Sequence, residues 1–259
     1  MMLINLKNQK MKYFYLILVL VAGVTSSCIN EITTADVSRQ TDFPVITLNG
    51  EAFQVVLQGE PYVEQGAVAT EGGEEIPNET NYSDGLYFGS PGVDTDVPDL
   101  YSVAYSAVNA DGFSGSALRS VMVVPPSGDL VTSIEGVYTS DVQRAPSFTP
   151  GPPYEDLEYI FISKVVGTDN QYVISHAIGG YYDMGRGYGP GYSAQGAVIT
   201  ANSIPGNDFS VSQAQFPIWG NTVDITQMTV NPEAKMITFT GDGNFGNGTF
   251  KVQLTQLQF

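Results

Sequence analysis

Cysteine, histidine and tryptophan each occur once in this sequence, as Cys28, His176 and Trp219. One cysteine excludes an internal disulfide. One histidine excludes a three-histidine metal centre and leaves a single imidazole for any Ser-His-Asp triad. No G-x-S-x-G turn accompanies it, and His176 is read as a packed strand residue. Bases are scarce: ten Lys and Arg stand against 27 Asp and Glu, a net charge of −17. Such a surface repels phosphate backbones and anionic membrane surfaces, which excludes nucleic acid as a partner. Beyond the first two dozen residues there are no long runs with apolar residues at helical spacing. Gly, Pro, Tyr, Thr and Val are plentiful instead, and the chain reads as all-β.

The exception to this polarity is the N-terminus. Lys7, Lys10 and Lys12 precede a run of twelve apolar or small residues, 13–24, and then Thr25, Ser26 and Ser27. A basic flank, a short apolar stretch and small residues describe a secretory signal over residues 1–27. A membrane-spanning helix needs roughly 20 residues, so this segment is too short to remain as one. Cys28 follows directly, and the junction resembles the lipobox at which bacterial lipoproteins are acylated. Thr25 departs from it, standing where leucine is usual. The resemblance implies that Cys28 is the lipidated mature N-terminus and that a lipid anchor supplies the membrane affinity. Without its signal the chain keeps seven bases against 27 acids, a net charge of −20. Residues 28–43 are polar and read as a flexible tether.

From residue 44 to 126 the chain reads as short strands separated by turns. Residues 45–48 end at Asn49-Gly50, and residues 53–57 end near Gly59. In residues 101–108, Tyr101, Val103, Tyr105 and Ala107 share one face, which predicts a core. Asp111-Gly112 is a hairpin turn, and residues 118–124 return from it. The segment Pro44-Val45-Ile46-Thr47-Leu48-Asn49-Gly50, followed by Gly59-Glu60-Pro61-Tyr62-Val63-Glu64-Gln65-Gly66-Ala67, resembles the opening of bacterial Ig-like surface domains. So do Tyr101-Ser102-Val103-Ala104-Tyr105-Ser106-Ala107 and Arg119-Ser120-Val121-Met122-Val123 near its close. The resemblance covers about 80 residues. It implies an Ig-like sandwich acting as a spacer, with no catalytic residues. A Pro- and Asp-rich stretch between Gly89 and Leu100 makes the middle of this domain atypical.

Pro125-Pro126 and Ser127-Gly128 suit a boundary, because proline cannot donate to a sheet. They predict two separable domains. Residues 130–259 then show strands near 134–138, 157–165, 171–177, 195–200, 222–230, 235–240 and 248–257, with turn residues between them. This spacing predicts a second β-sandwich or a small β-barrel. The arrangement is similar to the C-terminal halves of Bacteroidetes surface lipoproteins that carry the Ig-like domain. That resemblance implies an outer-membrane location beside glycan importers. A polysaccharide or oligosaccharide and the importer proteins would then be the partners.

The densest chemistry lies in residues 179–192. Tyr181, Tyr182, Tyr188 and Tyr192 stand among six glycines, with Asp183 and Arg186. Flat rings with polar tips suit the C–H faces and hydroxyls of sugars, and glycine permits close backbone approach. Trp219 is a further candidate platform. These seven residues are the candidate ligand site. The same rings could equally pack over one end of a small sandwich, with the glycines as turns. Glu155, Asp156 and Glu158 could in principle serve as glycosidase carboxylates, but adjacent acids in a Pro-rich loop more often face water. Asp94, Asp96 and Asp99 could offer oxygens to calcium, although the loop lacks the glycine and glutamate of an EF-hand. No cofactor, metal or catalytic residue is expected. The leading reading is a non-enzymatic, glycan-associated binding protein of the cell envelope. The alternative is a structural or adhesion protein that binds other proteins.

Overall fold

The computed structural model describes residues 41–259. The signal, Cys28 and nearly all of the tether lie outside the described residues. The first domain has seven strands: β1 Val45–Leu48, β2 Phe53–Leu57, β3 Ala67–Glu71, β4 Glu74–Ile76, β5 Glu79–Tyr82, β6 Asp99–Val108 and β7 Ser114–Val124. They form two sheets, ordered β1-β3-β4 and β2-β7-β6-β5. The alternation in β6 works as expected: Tyr101, Val103, Tyr105 and Ala107 are buried. They meet Val121 and Val123 of β7, with Ile46 and Leu48 of the facing sheet packed against them. The motif residues are structural. Arg119 is fully buried and pairs with Glu64. It also donates through Nε to the Glu51 carbonyl at 3.0 Å and through a terminal nitrogen to the Asn49 carbonyl. The Tyr62 hydroxyl donates to the same Glu64 carboxylate.

The second domain is one sheet of nine strands: β8 Gly136–Arg144, β9 Leu157–Lys164, β10 Gln171–Ile174, β11 Ala197–Ser203, β12 Asp208–Val211, β13 Ala214–Gln215, β14 Thr222–Asn231, β15 Met236–Gly243 and β16 Thr249–Gln256. Their order is β12-β11-β10-β9-β8-β16-β15-β14-β13. The sheet curls until its far side returns. Gln195, just before β11, and Gln215 of β13 exchange backbone hydrogen bonds of 2.9 Å in both directions. The result is a partly closed barrel. Its interior is a continuous apolar core that includes Tyr138, Ile160, Ile162, Tyr172, Phe216, Phe239 and Phe250.

Beyond the two prolines the domains remain in contact. Met122 and Val124 of β7 form a buried cluster with Val137 of β8 and Phe161 of β9, and Tyr87, Phe88, Leu100, Tyr159 and Leu257 pack around it. The atypical stretch of the Ig-like domain makes this possible. Asp99 is buried at the start of β6, where it accepts backbone N–H bonds from Tyr87, Phe88 and Leu100 at 2.7–3.1 Å. Burial pushes its carboxyl above the usual range, against those same N–H groups. The folded loop thereby holds Tyr87 and Phe88 against the second domain.

Candidate functional site

The Tyr/Gly-rich segment closes one end of the curled sheet, and its glycines first serve packing. Gly179 has a φ of 63°, and a Cβ there would stand 2.4 Å from Ser140 Oγ and 2.7 Å from a Val252 methyl. This close approach takes the backbone into the barrel mouth. A single π-helical turn, Tyr181–Gly185, follows. It drops Tyr181 and Tyr182 onto Phe250, at ring-centroid distances of 5.2 and 5.9 Å.

Three of the seven candidate residues are therefore not on a surface. Tyr181, Tyr182 and Asp183 are 5, 7 and 6 % exposed. The tyrosines belong to the core. Asp183 accepts from His176 Nε2 at 2.9 Å. The Tyr87 ring of the Ig-like domain stands edge-on to the same imidazole at 4.5 Å. Burial, and then the adjacent Asp183 charge, push the Tyr87 hydroxyl upward. Ser175 Oγ lies 2.7 Å from His176 Nδ1 and accepts the Phe161 N–H. Serine, histidine and aspartate thus form a chain, but the two ring nitrogens are exchanged relative to a hydrolytic triad, and Ser175 and His176 are wholly buried. No substrate reaches Ser175 Oγ in this arrangement, and the group works as a polar tie beside the domain seam.

The other candidates converge at the surface. Tyr188 is 50 % and Trp219 43 % exposed, and Tyr192 is half-buried between them. Tyr192 meets Trp219 at 4.8 Å and Tyr188 at 5.4 Å. Tyr182 supports the group from beneath, 4.8 Å from Trp219 and 6.1 Å from Tyr188. The loop carrying Trp219 docks on the 3-10 turn Pro190–Tyr192, where a Cβ on Gly191 would meet the Ile218 side chain at 2.6 Å.

Arg186 lies 5.8 Å from the rings of Tyr154 and Tyr181. Sequence reading missed its counterpart, Arg144 at the end of β8, which lies 5.4–5.5 Å from Tyr181, Tyr182 and Phe250. Among the described residues neither arginine forms an ion pair with a carboxylate, although the chain is rich in acid. Burial works against ionisation of Tyr181, but the Tyr154 hydroxyl and the two arginines outweigh it and hold its hydroxyl below the usual phenol range. Arg144 Nε donates to the Asn247 carbonyl at 2.8 Å, and two guanidiniums without a carboxylate partner beside a patch of rings can receive an anionic or hydroxyl-rich group.

The carboxylates weighed for other chemistry are used differently. Asp94 accepts from Ser90 Oγ and the Asp96 N–H, while Asp99 turns inward to its loop, so the three do not converge as calcium ligands. Among the described residues no cluster of three His, Cys, Asp or Glu could hold a metal ion. The Asp156 N–H is bonded to Asp141 of β8, and Glu155 is exposed.

An Ig-like sandwich joined to a curled nine-stranded sheet defines a two-domain surface protein. Two family models agree with this division. One, described as a bacterial surface protein Ig-like domain, matches residues 46–123; the other, described as a C-terminal domain, matches residues 127–256. The second covers half of the chain, and the protein belongs to that family, joined here to the Ig-like surface domain. Among solved structures it is similar to the lipoprotein BT2262 from Bacteroides thetaiotaomicron, with 25% identity and a TM-score of 0.57. The likeness covers 83% of this chain and all of that one. No curated protein sequence matches the chain.

Proposed function

We propose that this cell-envelope protein is lipid-anchored through Cys28 in the outer membrane and is a non-enzymatic binding protein that takes glycan at the surface formed by Tyr188, Tyr192, Trp219 and Arg186. 

The observation that carries the reading is the set of three partly exposed rings in mutual contact at the end of the sheet that this segment closes, with Arg144 and Arg186 over the adjoining Tyr182 and Tyr181 rings. Rings give broad apolar contact, and a guanidinium fixes orientation by hydrogen bonds. The sealed Ser175–His176–Asp183 group supports a role without catalysis, since the chain's one imidazole is spent on packing. Outer-membrane importer proteins are the partners this reading expects. A glycan array probed with the soluble body tests it: Tyr188→Ala and Trp219→Ala should each weaken the signal while moving the melting temperature little. Absence of any glycan signal from the unmodified body overturns it.

A second reading, adhesion to another protein, is favoured by a different surface. Phe53, Val55 and Leu57 alternate outward, all exposed, on β2, which is an edge strand of its sheet. An apolar row beside unpaired backbone groups is the kind of edge to which a partner strand adds. Val55→Lys separates the two readings, because it should disrupt protein capture and leave glycan binding intact.

A further inference from the structure

The outer face of the barrel changes character along its two central strands. β8 and β16 pair so that Val137 lies beside Leu257, Thr139 beside Thr255, Asp141 beside Gln253 and Gln143 beside Lys251. The apolar end, Val137 and Leu257, is covered by the Ig-like domain. The polar end is open, and there it forms a groove of about 380 Å³. That lies within the range of small-molecule sites, roughly 300 to 1,000 Å³. Thr238 and Thr240 of β15 continue the same two rows, opposite Gln253 and Lys251.

The groove has walls, which distinguish it from an ordinary solvated sheet face. On one side stands the loop of residues 145–156, contributing Pro150 and Glu155, with the Phe148 ring 4.6 Å from Lys251 Nζ. On the other side β14 carries a bulge: Thr226 pairs with Thr240 and Thr229 with Thr238, so two residues oppose one. A bulge re-aims a side chain. Here it sends Gln227 over the sheet, where its Oε1 accepts from Thr240 Oγ1 at 3.1 Å. Phe148 and Gln227 both hold positive φ, 48° and 55°, in conformations that side chains other than glycine seldom adopt. Inside the groove, the side chains of Gln143, Gln253 and Glu155 make no hydrogen bond to any described residue.

We infer that this groove is a second binding site, and that it takes a neutral oligosaccharide. Each glutamine amide offers both donors and an acceptor, as each sugar hydroxyl does, while the carboxylates accept and Lys251 donates. Asp141 and Glu155 outnumber Lys251, so the groove disfavours acidic sugars, unlike the end of the sheet where Arg144 and Arg186 stand. The inference extends the glycan reading above and is tested by separate reporters. The soluble body from Ile29 is titrated with maltohexaose and with cellohexaose, up to about 10 mM, well above the ~1 mM Kd of a weak site. The side-chain amide signals of Gln143, Gln227 and Gln253 report the groove by NMR, and the Trp219 indole N–H reports the aromatic end. The expected result is a saturable shift of the glutamine amides with at least one hexaose, weakened roughly tenfold in Gln143→Ala/Gln253→Ala and retained in Trp219→Ala. Glutamine amides that stay still with both hexaoses overturn the groove, whatever the indole does. An affinity unchanged in the double variant overturns it too. An indole that stays still while the amides move overturns the aromatic surface alone.

Discussion

Arg119 is the one base between residues 44 and 126, and it is placed where a charge is most expensive, in the centre of the Ig-like sandwich. Glu64 and two backbone carbonyls compensate it. Removing one partner of a buried pair leaves the other charge uncompensated, at about 3–5 kcal/mol. Glu64→Ala should therefore lower the melting temperature by roughly 6–20 °C, since each kcal/mol shifts a body of this size by about 2–4 °C. Thermal unfolding followed by circular dichroism checks this. The same contrast divides the tyrosines. Tyr181→Ala empties a core position and should cost about 3–5 kcal/mol, whereas Tyr188→Ala removes a half-exposed ring and should leave the midpoint nearly unchanged. The sequence could not separate these two, because spacing among glycines does not say which ring a π-helical turn will point inward.

At the scale of elements, alternation carried the reading well where strands are long and have one covered face. β6 is the clearest case, and the hairpin into β7 follows its Asp111-Gly112 turn. Short or exposed strands left little trace. β5 buries none of its residues, and β13 is two residues long. The groove was invisible for another reason: its polar residues lie on different strands, and pairing register alone brings them together. A turn at the domain boundary shows how local chemistry can be tested. Asp129 accepts N–H bonds from Thr132, Val131 and Ser133, and these hold its carboxyl down at about 2, below the ordinary 3.8. Because the folded value is depressed, the carboxylate contributes stability above pH 3.8, and that contribution is lost as pH falls toward about 2. Melting temperature measured against pH should fall less steeply through this window in Asp129→Asn than in the unmodified body. Parallel curves would mean that the turn contributes nothing.

For the whole molecule, the two prolines mark a change of domain but not an end of contact. The continuous apolar run Tyr159-Ile160-Phe161-Ile162 was the available signal, since a strand that is apolar on both faces is covered on both. Ile160 and Ile162 face the barrel core, while Phe161 faces the Ig-like domain. Separating the domains at residue 127 would expose Val137, Phe161 and Leu257 to water and remove Tyr87 from the His176–Asp183 pair. The barrel has its own large core and should still fold alone, but with lower stability and a tendency to associate through the uncovered patch. In the joined protein the seam should couple the two cores, so that calorimetry of the soluble body shows one transition whose calorimetric and van't Hoff enthalpies agree. Phe161→Ala, which empties the middle of the seam at a cost of about 3–5 kcal/mol, should move that transition down or split it in two, with the Ig-like part and the barrel then melting separately. Two transitions in the unmodified body, or a fragment of residues 127–259 that melts where the joined protein does, would show that the seam is contact without coupling.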